Sequence, residues 1–239
     1  MIHHQHRCIF VHIPKTAGKS INRFFGMDWQ PHKDLGRYAR ELPPEVFAGY
    51  QKFAVVRNPW DRMLSDYNFQ LKKKTPDAER LFVTRPAGGI RDFREWLEAV
   101  FADPFYYPAG NWGGEVSSGV HRWSPAADWI SLEGKIAVDF VLRMENLQAD
   151  FAEVCRRLKL PPAELPCRNW QFHRHYSEYY DAETRELVAR KHARDIAAFG
   201  YQFETPGNNL GWVLAQKIKP RVKSVWRSFT AAIKPGTAR

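Results

Sequence analysis

Short apolar runs recur along this chain, each passing into a polar turn and then into a stretch with helical spacing. Cys8-Ile9-Phe10-Val11, continued by Ile13, is too short for a typical helix, and Pro14 closes it as a buried strand by removing a backbone donor. Ile21, Phe24 and Phe25 then start a helical pattern. Phe53-Ala54-Val55-Val56 repeats the theme ahead of Pro59, a residue favoured at the first helical position. A third strand, Val138 to Leu142, leads through Arg143-Met144-Glu145-Asn146-Leu147 into a helix with Phe151, Val154, Cys155 and Leu158, which Pro161-Pro162 stops. Phe93, Trp96, Leu97, Val100 and Phe101 mark a core-facing helix, and Leu187, Val188, Ile196 and Phe199 mark one running from Ala182 to Gly200. Met1 to Arg7 reads as a solvated polar tract and Pro43-Pro44 as part of a loop. Strands alternating with helices predict an α/β protein with a parallel sheet, and such sheets bind ligands at the carboxyl ends of their strands.

Chemistry concentrates at the first two of those ends. Lys15-Thr16-Ala17-Gly18-Lys19-Ser20 supplies small residues, hydroxyls, two ammonium groups and a glycine, followed by Ile21 at a helix start where exposed N–H groups favour an anion. Gly18-Lys19-Ser20 matches the end of a Walker A loop, but Ile13 stands where its first glycine belongs. An ordinary strand-to-helix turn that carries lysines is the competing reading. The second end reads Arg57-Asn58-Pro59-Trp60-Asp61-Arg62-Met63-Leu64-Ser65-Asp66-Tyr67. There Arg57 can fork two donors onto phosphate oxygens, with Ser65 about two helical turns on.

Taken together, H-I-P-K-T-A-G-x-S and V-R-N-P-W-D-R-x-x-S-x-Y resemble the two cofactor motifs of sulfotransferases that use 3'-phosphoadenosine 5'-phosphosulfate (PAPS). The resemblance is to the carbohydrate branch that includes the heparan sulfate 2-O-sulfotransferases. It implies a P-loop-like parallel sheet flanked by helices. It also implies that Lys15, Thr16, Ala17, Gly18, Lys19, Ser20 and Ile21 wrap the 5'-phosphosulfate, and that Arg57 and Ser65 meet the 3'-phosphate. Lys19 stands where the family often has Thr. His32, in the interval before V-R-N-P, corresponds to the base that deprotonates the acceptor hydroxyl, a task that suits a neutral imidazole, with Lys15 stabilising charge on the departing phosphate oxygen. A loop histidine with no role is the alternative, and Asp34 is a further candidate acid.

The resemblance continues less closely toward the acceptor side. His121 to Ile130 reads H-R-W-S-P-A-A-D-W-I, with the histidine one residue farther from the proline than in the family and Ala126 where glutamine is frequent. His121 is therefore the substrate-contact candidate and second choice of base. R-x-E-N-L at Arg143 and F-G-Y-x-F at Phe199 also match, with Arg143 and Glu145 read as a structural ion pair, so the likeness spans roughly residues 8 to 203. Tyr106, Tyr107, Trp112 and Trp123 could stack on sugar rings or cap the core, and Lys72-Lys73-Lys74 could steer an anionic acceptor or simply face solvent.

Composition narrows the classes. The 239 residues, 44% hydrophobic, suit one sizeable domain, residues 1–205, with an appendage at 206–239. No apolar run is long enough to serve as a signal peptide or to span a bilayer, and three cysteines without metal spacing fit free thiols in a reducing, cytoplasmic setting. The histidines at 3, 4 and 6 and the His173-Arg174-His175 step are not expected to hold a metal. Of the net charge of +10, seven Lys and Arg with no opposing acid lie in 206–239, leaving +3 for the body. No nucleic-acid motif accompanies that charge, so the expected partners are PAPS and a saccharide or glycan acceptor. In the tail, Val222, Val225, Trp226, Phe229 and Ile233 recur at helical spacing with Lys223 and Arg227 between them. This basic amphipathic segment fits an anionic membrane at the inner face, and equally the body or a second subunit of an oligomer. Two other function classes stay open: a P-loop kinase or ATPase, against which stand Ile13 and the lack of a clear Walker B acid, and a noncatalytic basic protein that binds glycan or nucleic acid.

Overall fold

The computed structural model describes residues 1–28, 30–72, 92–102, 119–166 and 175–205. Cys167, Tyr106, Tyr107, Trp112, Lys73, Lys74, His173, Arg174 and the basic segment 206–239 lie outside them. Met1 to Gln202 forms one compact unit.

Its centre is a four-stranded sheet in the order β1 (Ile2–His3), β2 (Cys8–Val11), β3 (Gln51–Val56), β6 (Phe140–Arg143). The last three run parallel, as the strand and helix alternation predicts. Phe10 lies opposite Phe53 and Phe53 opposite Phe140. The N-terminal tract departs from its sequence reading: Ile2 pairs with Ile9 and His3 with Cys8, antiparallel, so β1 covers an edge of the sheet, and the Met1 side chain is buried. A polar sequence can occupy an edge strand because its affinity comes from main-chain hydrogen bonds rather than from apolar side chains.

Side chains alternate across the strands and make two cores. Ile9, Val11, Ile13, Ala54 and Val56 face one side with Leu35, Tyr38, Trp129, Ile130, Phe199 and Tyr201. Cys8, Phe10, Phe53, Val55 and Leu142 face the other with Ile21, Phe25, Phe151, Val154 and Cys155. Helices α1 (Gly18–Phe24) and α7 (Leu147–Arg157) cover the second face, while α2 (Leu35–Glu41) covers the first. Pro44 begins a further short helix, α3 (Pro44–Gly49), in the segment read as loop. Proline is tolerated there because the first helical N–H has no partner to lose.

Helix α4 (Pro59–Lys72) follows β3 directly. It packs against α5 (Phe93–Ala102), whose Phe93, Trp96, Leu97 and Val100 are buried as their spacing predicts. Past α6 (Ala126–Trp129) and the hairpin β4–β5 (Ser131–Leu132, Lys135–Ile136), the chain returns to the sheet as β6. The C-terminal helix is two helices, α8 (Ala182–Lys191) and α9 (Ala193–Phe199), broken at the fully buried His192 and capped by Gly200 in the left-handed conformation. Among the described residues no helix is long and apolar enough to cross a membrane. The register that aligns Val11 with Ala54 puts the ends of β2 and β3 side by side, so residues 12–18 and 57–66 emerge at one edge of the sheet.

Candidate active site

Between Val11 and Gly18 the backbone turns sharply. Lys15 and Ala17 adopt left-handed conformations, with φ of 69° and 59°, and Ala17 is the residue that caps α1. Non-glycine residues pay for that geometry, and alternating handedness of this kind points successive N–H groups into one concavity. Among the described residues, the N–H groups of 15 to 19 have no acceptor within the protein. Thr16 is buried and its hydroxyl donates to the Ile13 carbonyl at 2.8 Å, so this side chain braces the turn from inside. Ser20 and Ile21 are buried too, their amides donating to the Ala17 carbonyl, whereas Lys19 is exposed.

Gly18 is required by close approach rather than by backbone handedness. A Cβ there would lie 1.7 Å from Nε2 of His12, 2.1 Å from Cδ2 and 2.2 Å from Cε1. The His12 ring thus occupies the space that any other residue at 18 would need. His32 sits next to it, the two ring centroids 4.1 Å apart, and Nδ1–H of His32 donates to the His12 carbonyl at 2.7 Å. That bond fixes the tautomer of the neutral ring, leaving the lone pair on Nε2. Burial holds the His32 pKa down at about 4, against the opposing pull of the carbonyl bond, and Arg122 depresses it further.

Arg57 joins the two motifs physically. Its Nη1 donates to the Lys15 carbonyl at 3.3 Å, and its Nε to Asp61 at 2.8 Å, which aims the guanidinium from one helical turn away. Ser65 stands one further turn along α4 on the face that carries Asp61. The structure therefore gathers Lys15 to Ile21, Arg57 and His32 at the ends of β2 and β3, with Ser65 farther along α4.

It also gathers residues that the sequence did not single out. Asp66 is almost fully buried; Arg122 grips both its carboxylate oxygens, and Trp123 Nε1–H and the Gln70 amide donate to it at 2.9 and 3.2 Å. Burial disfavours its charge, yet the Arg122 fork and the nearby Lys15 hold it below the usual carboxylate range. Lys15 Nζ lies 4.1 Å from the centre of the Phe69 ring, and Arg122 stacks on the same ring at 5.8 Å. Burial pushes the Lys15 ammonium down to about 7; Asp66 opposes this, while Arg122, Arg57 and Lys19 add to it. Cations outnumber carboxylates here, so an arriving anion is favoured electrostatically. The four-residue spacings Asp61-Ser65-Phe69 and Arg62-Asp66-Gln70 are the sequence signal that could have pointed to these helix faces.

His121 is placed elsewhere. Its Nδ1 accepts from the Trp123 amide at 3.3 Å, and the charges that bear on it most are Arg62, His192, Asp128 and Lys191. Its neighbour Arg122 is the residue that turns to Lys15 and Asp66. Asp34 caps α2 by accepting from the Arg37 amide at 3.0 Å. The expected Arg143–Glu145 ion pair does not form. Arg143 donates to the Phe199 carbonyl, and Glu145 accepts from the Asn58 amide at 2.7 Å and the Tyr201 hydroxyl at 3.2 Å. Glu145 thereby anchors the start of the Arg57 motif to the end of β6.

No curated protein and no solved structure matches the chain. A model of the sulfotransferase family matches residues 1–202, a span that contains both anion motifs, His32 and the Asp66–Arg122 pair. Enzymes of this family generally take PAPS as their sulfuryl donor. With that match over most of its length and a mixed α/β fold with a parallel sheet, the chain belongs to the sulfotransferase family and is a sulfotransferase.

Proposed function

We propose that this sulfotransferase moves the sulfuryl group of PAPS to a hydroxyl of a carbohydrate acceptor, with His32 as the base. The observation that carries the reading is the Arg57 bond to the Lys15 carbonyl, because it sets two separately encoded basic motifs side by side, as a ligand with two phosphate-bearing ends requires. The residues present fit such a ligand: a turn whose N–H groups have no acceptor of their own, and Lys15, Arg57 and Ser65 around it. PAPS supplies an activated sulfuryl group on a phosphate leaving group. The Lys15 to Ile21 turn would hold the 5' end, and Arg57 and Ser65 the 3'-phosphate. His32 Nε2, left unprotonated by the Nδ1 bond, would take the proton of the acceptor hydroxyl. Burial is the main cause of its low pKa and Arg122 adds to it, while the carbonyl bond and Asp66 oppose it. A bound polyanion would offset the Arg122 contribution, and by that part alone raise the basicity of the ring. A carbohydrate acceptor is favoured by the closeness of the two motifs to those of the carbohydrate branch.

Thermal denaturation with PAPS, its desulfated bisphosphate product, AMP, ATP and GTP tests this. The bisphosphate should stabilise the protein far more than AMP, and Arg57→Ala should erase the difference, since a charge-assisted contact contributes about 1.5 to 3 kcal/mol. Equal stabilisation by AMP and the bisphosphate would remove the 3'-phosphate role, and a preference for ATP would return the kinase reading.

A further inference from the structure

His12 lies at the centre of this arrangement without a task in the scheme above. The side chain is 8% exposed, and its Nδ1 has no hydrogen-bond partner among the described residues. The other edge of the ring, which carries Nε2, fills the place of the missing Gly18 side chain, and the ring lies against His32. An apolar ring could fill that wedge without burying an unpaired nitrogen. A neutral imidazole carries one proton, and sealing an N–H away from every acceptor is a worse outcome than leaving a lone pair unused. The proton therefore resides on Nε2, the nitrogen that faces the turn. Burial, helped by the charges of His32, Arg122 and Lys15, holds the ring well below the ordinary histidine range, so it stays a neutral donor.

We propose that His12 is a ligand-contacting residue, its Nε2–H donating a hydrogen bond to an oxygen of the sulfuryl group as that group passes from the turn toward the acceptor. This rests on the reading of the site as one for sulfuryl transfer. In-line transfer places sulfur between the departing phosphate oxygen, on the side of the turn, and the attacking hydroxyl, on the side of His32. His12 lies against both the turn, at Gly18, and His32. In the step itself the bond from sulfur to the phosphate oxygen breaks, the bond from sulfur to the acceptor oxygen forms, and the acceptor proton goes to His32. His12 keeps its own proton throughout. A neutral donor suits this position because it meets growing charge on the sulfuryl oxygens without competing with His32 for the proton.

His12→Phe keeps the ring and removes the donor, and His12→Gln restores an N–H near the position of Nε2. The expected result is that the bisphosphate product, which lacks the sulfuryl group, stabilises both variants and the parent within about twofold in affinity. Meanwhile kcat should fall about 10²-fold in the Phe variant and recover in part in the Gln variant. In protein labelled with 15N-histidine, the His12 Nε2 resonance should move on addition of PAPS without acceptor and stay in place on addition of the product. An unchanged kcat in the Phe variant, an Nε2 signal indifferent to PAPS, or equal losses of product affinity and turnover would overturn the proposal; the last would make His12 a packing wedge. Failure of the product to bind the parent protein would instead overturn the sulfuryl-transfer reading beneath it.

Discussion

Replacing Gly18 by alanine adds a single methyl group, yet the contact it makes should be among the most expensive in the protein. The new Cβ would fall 1.7 Å from His12 Nε2, where roughly 3.5 Å is needed, so the ring or the turn must retreat by about 2 Å. The ring has little freedom, with Phe10 stacked 5.6 Å away and His32 at 4.1 Å. Overpacking of this kind costs about 3 kcal/mol, which lowers Tm by about 6 to 12 °C for a unit of this size. His12→Ala alone should cost a similar amount by opening a cavity. In the double variant, however, the methyl group enters the space the ring has vacated. The combined loss should then fall about 2 kcal/mol short of the sum, a coupling well above the scatter of independent sites. Urea denaturation of the four proteins measures it. Losses that add to within about 0.5 kcal/mol, or a Gly18→Ala protein as stable as the parent, would refute the claim that Gly18 exists to seat His12.

His32→Ala should leave affinity for the bisphosphate nearly intact while turnover falls by about 10² to 10⁴, as for a positioned base; full activity would assign proton removal to another group. The ligand-free protein should lose stability between about pH 6.5 and 5. In that window unfolded histidines take up protons that buried His32 and His12 refuse, so unfolding binds protons and the free energy drops by about 1.4 kcal/mol per pH unit for each such group. His32→Gln should flatten the slope of urea-derived stability by about one proton, and an unchanged slope would mean that His32 titrates normally in the fold.

Three parallel strands, the helices that follow them and the two basic motifs at their ends were legible along the chain. These are local properties: a run of Ile9, Phe10 and Val11 bounded by Pro14 can hardly be anything but a short buried strand, and Pro59 after Arg57 opens a helix wherever the segment lies. What sequence could not supply was adjacency. The β1 edge strand was invisible because main-chain pairing leaves no trace in side-chain pattern. The choice of Arg122 over His121 depends on which neighbour the loop turns toward Asp66, 56 residues back in the chain. The purpose of Gly18 was hidden for the same reason. Read along the chain it frees the backbone for a ligand, whereas in three dimensions the freed volume belongs to His12, six residues earlier and just past the end of β2. Spacing reveals which residues share an element's face, but a contact between elements is decided by the register of β2 with β3 and the packing of both cores, and only the folded chain contains that information.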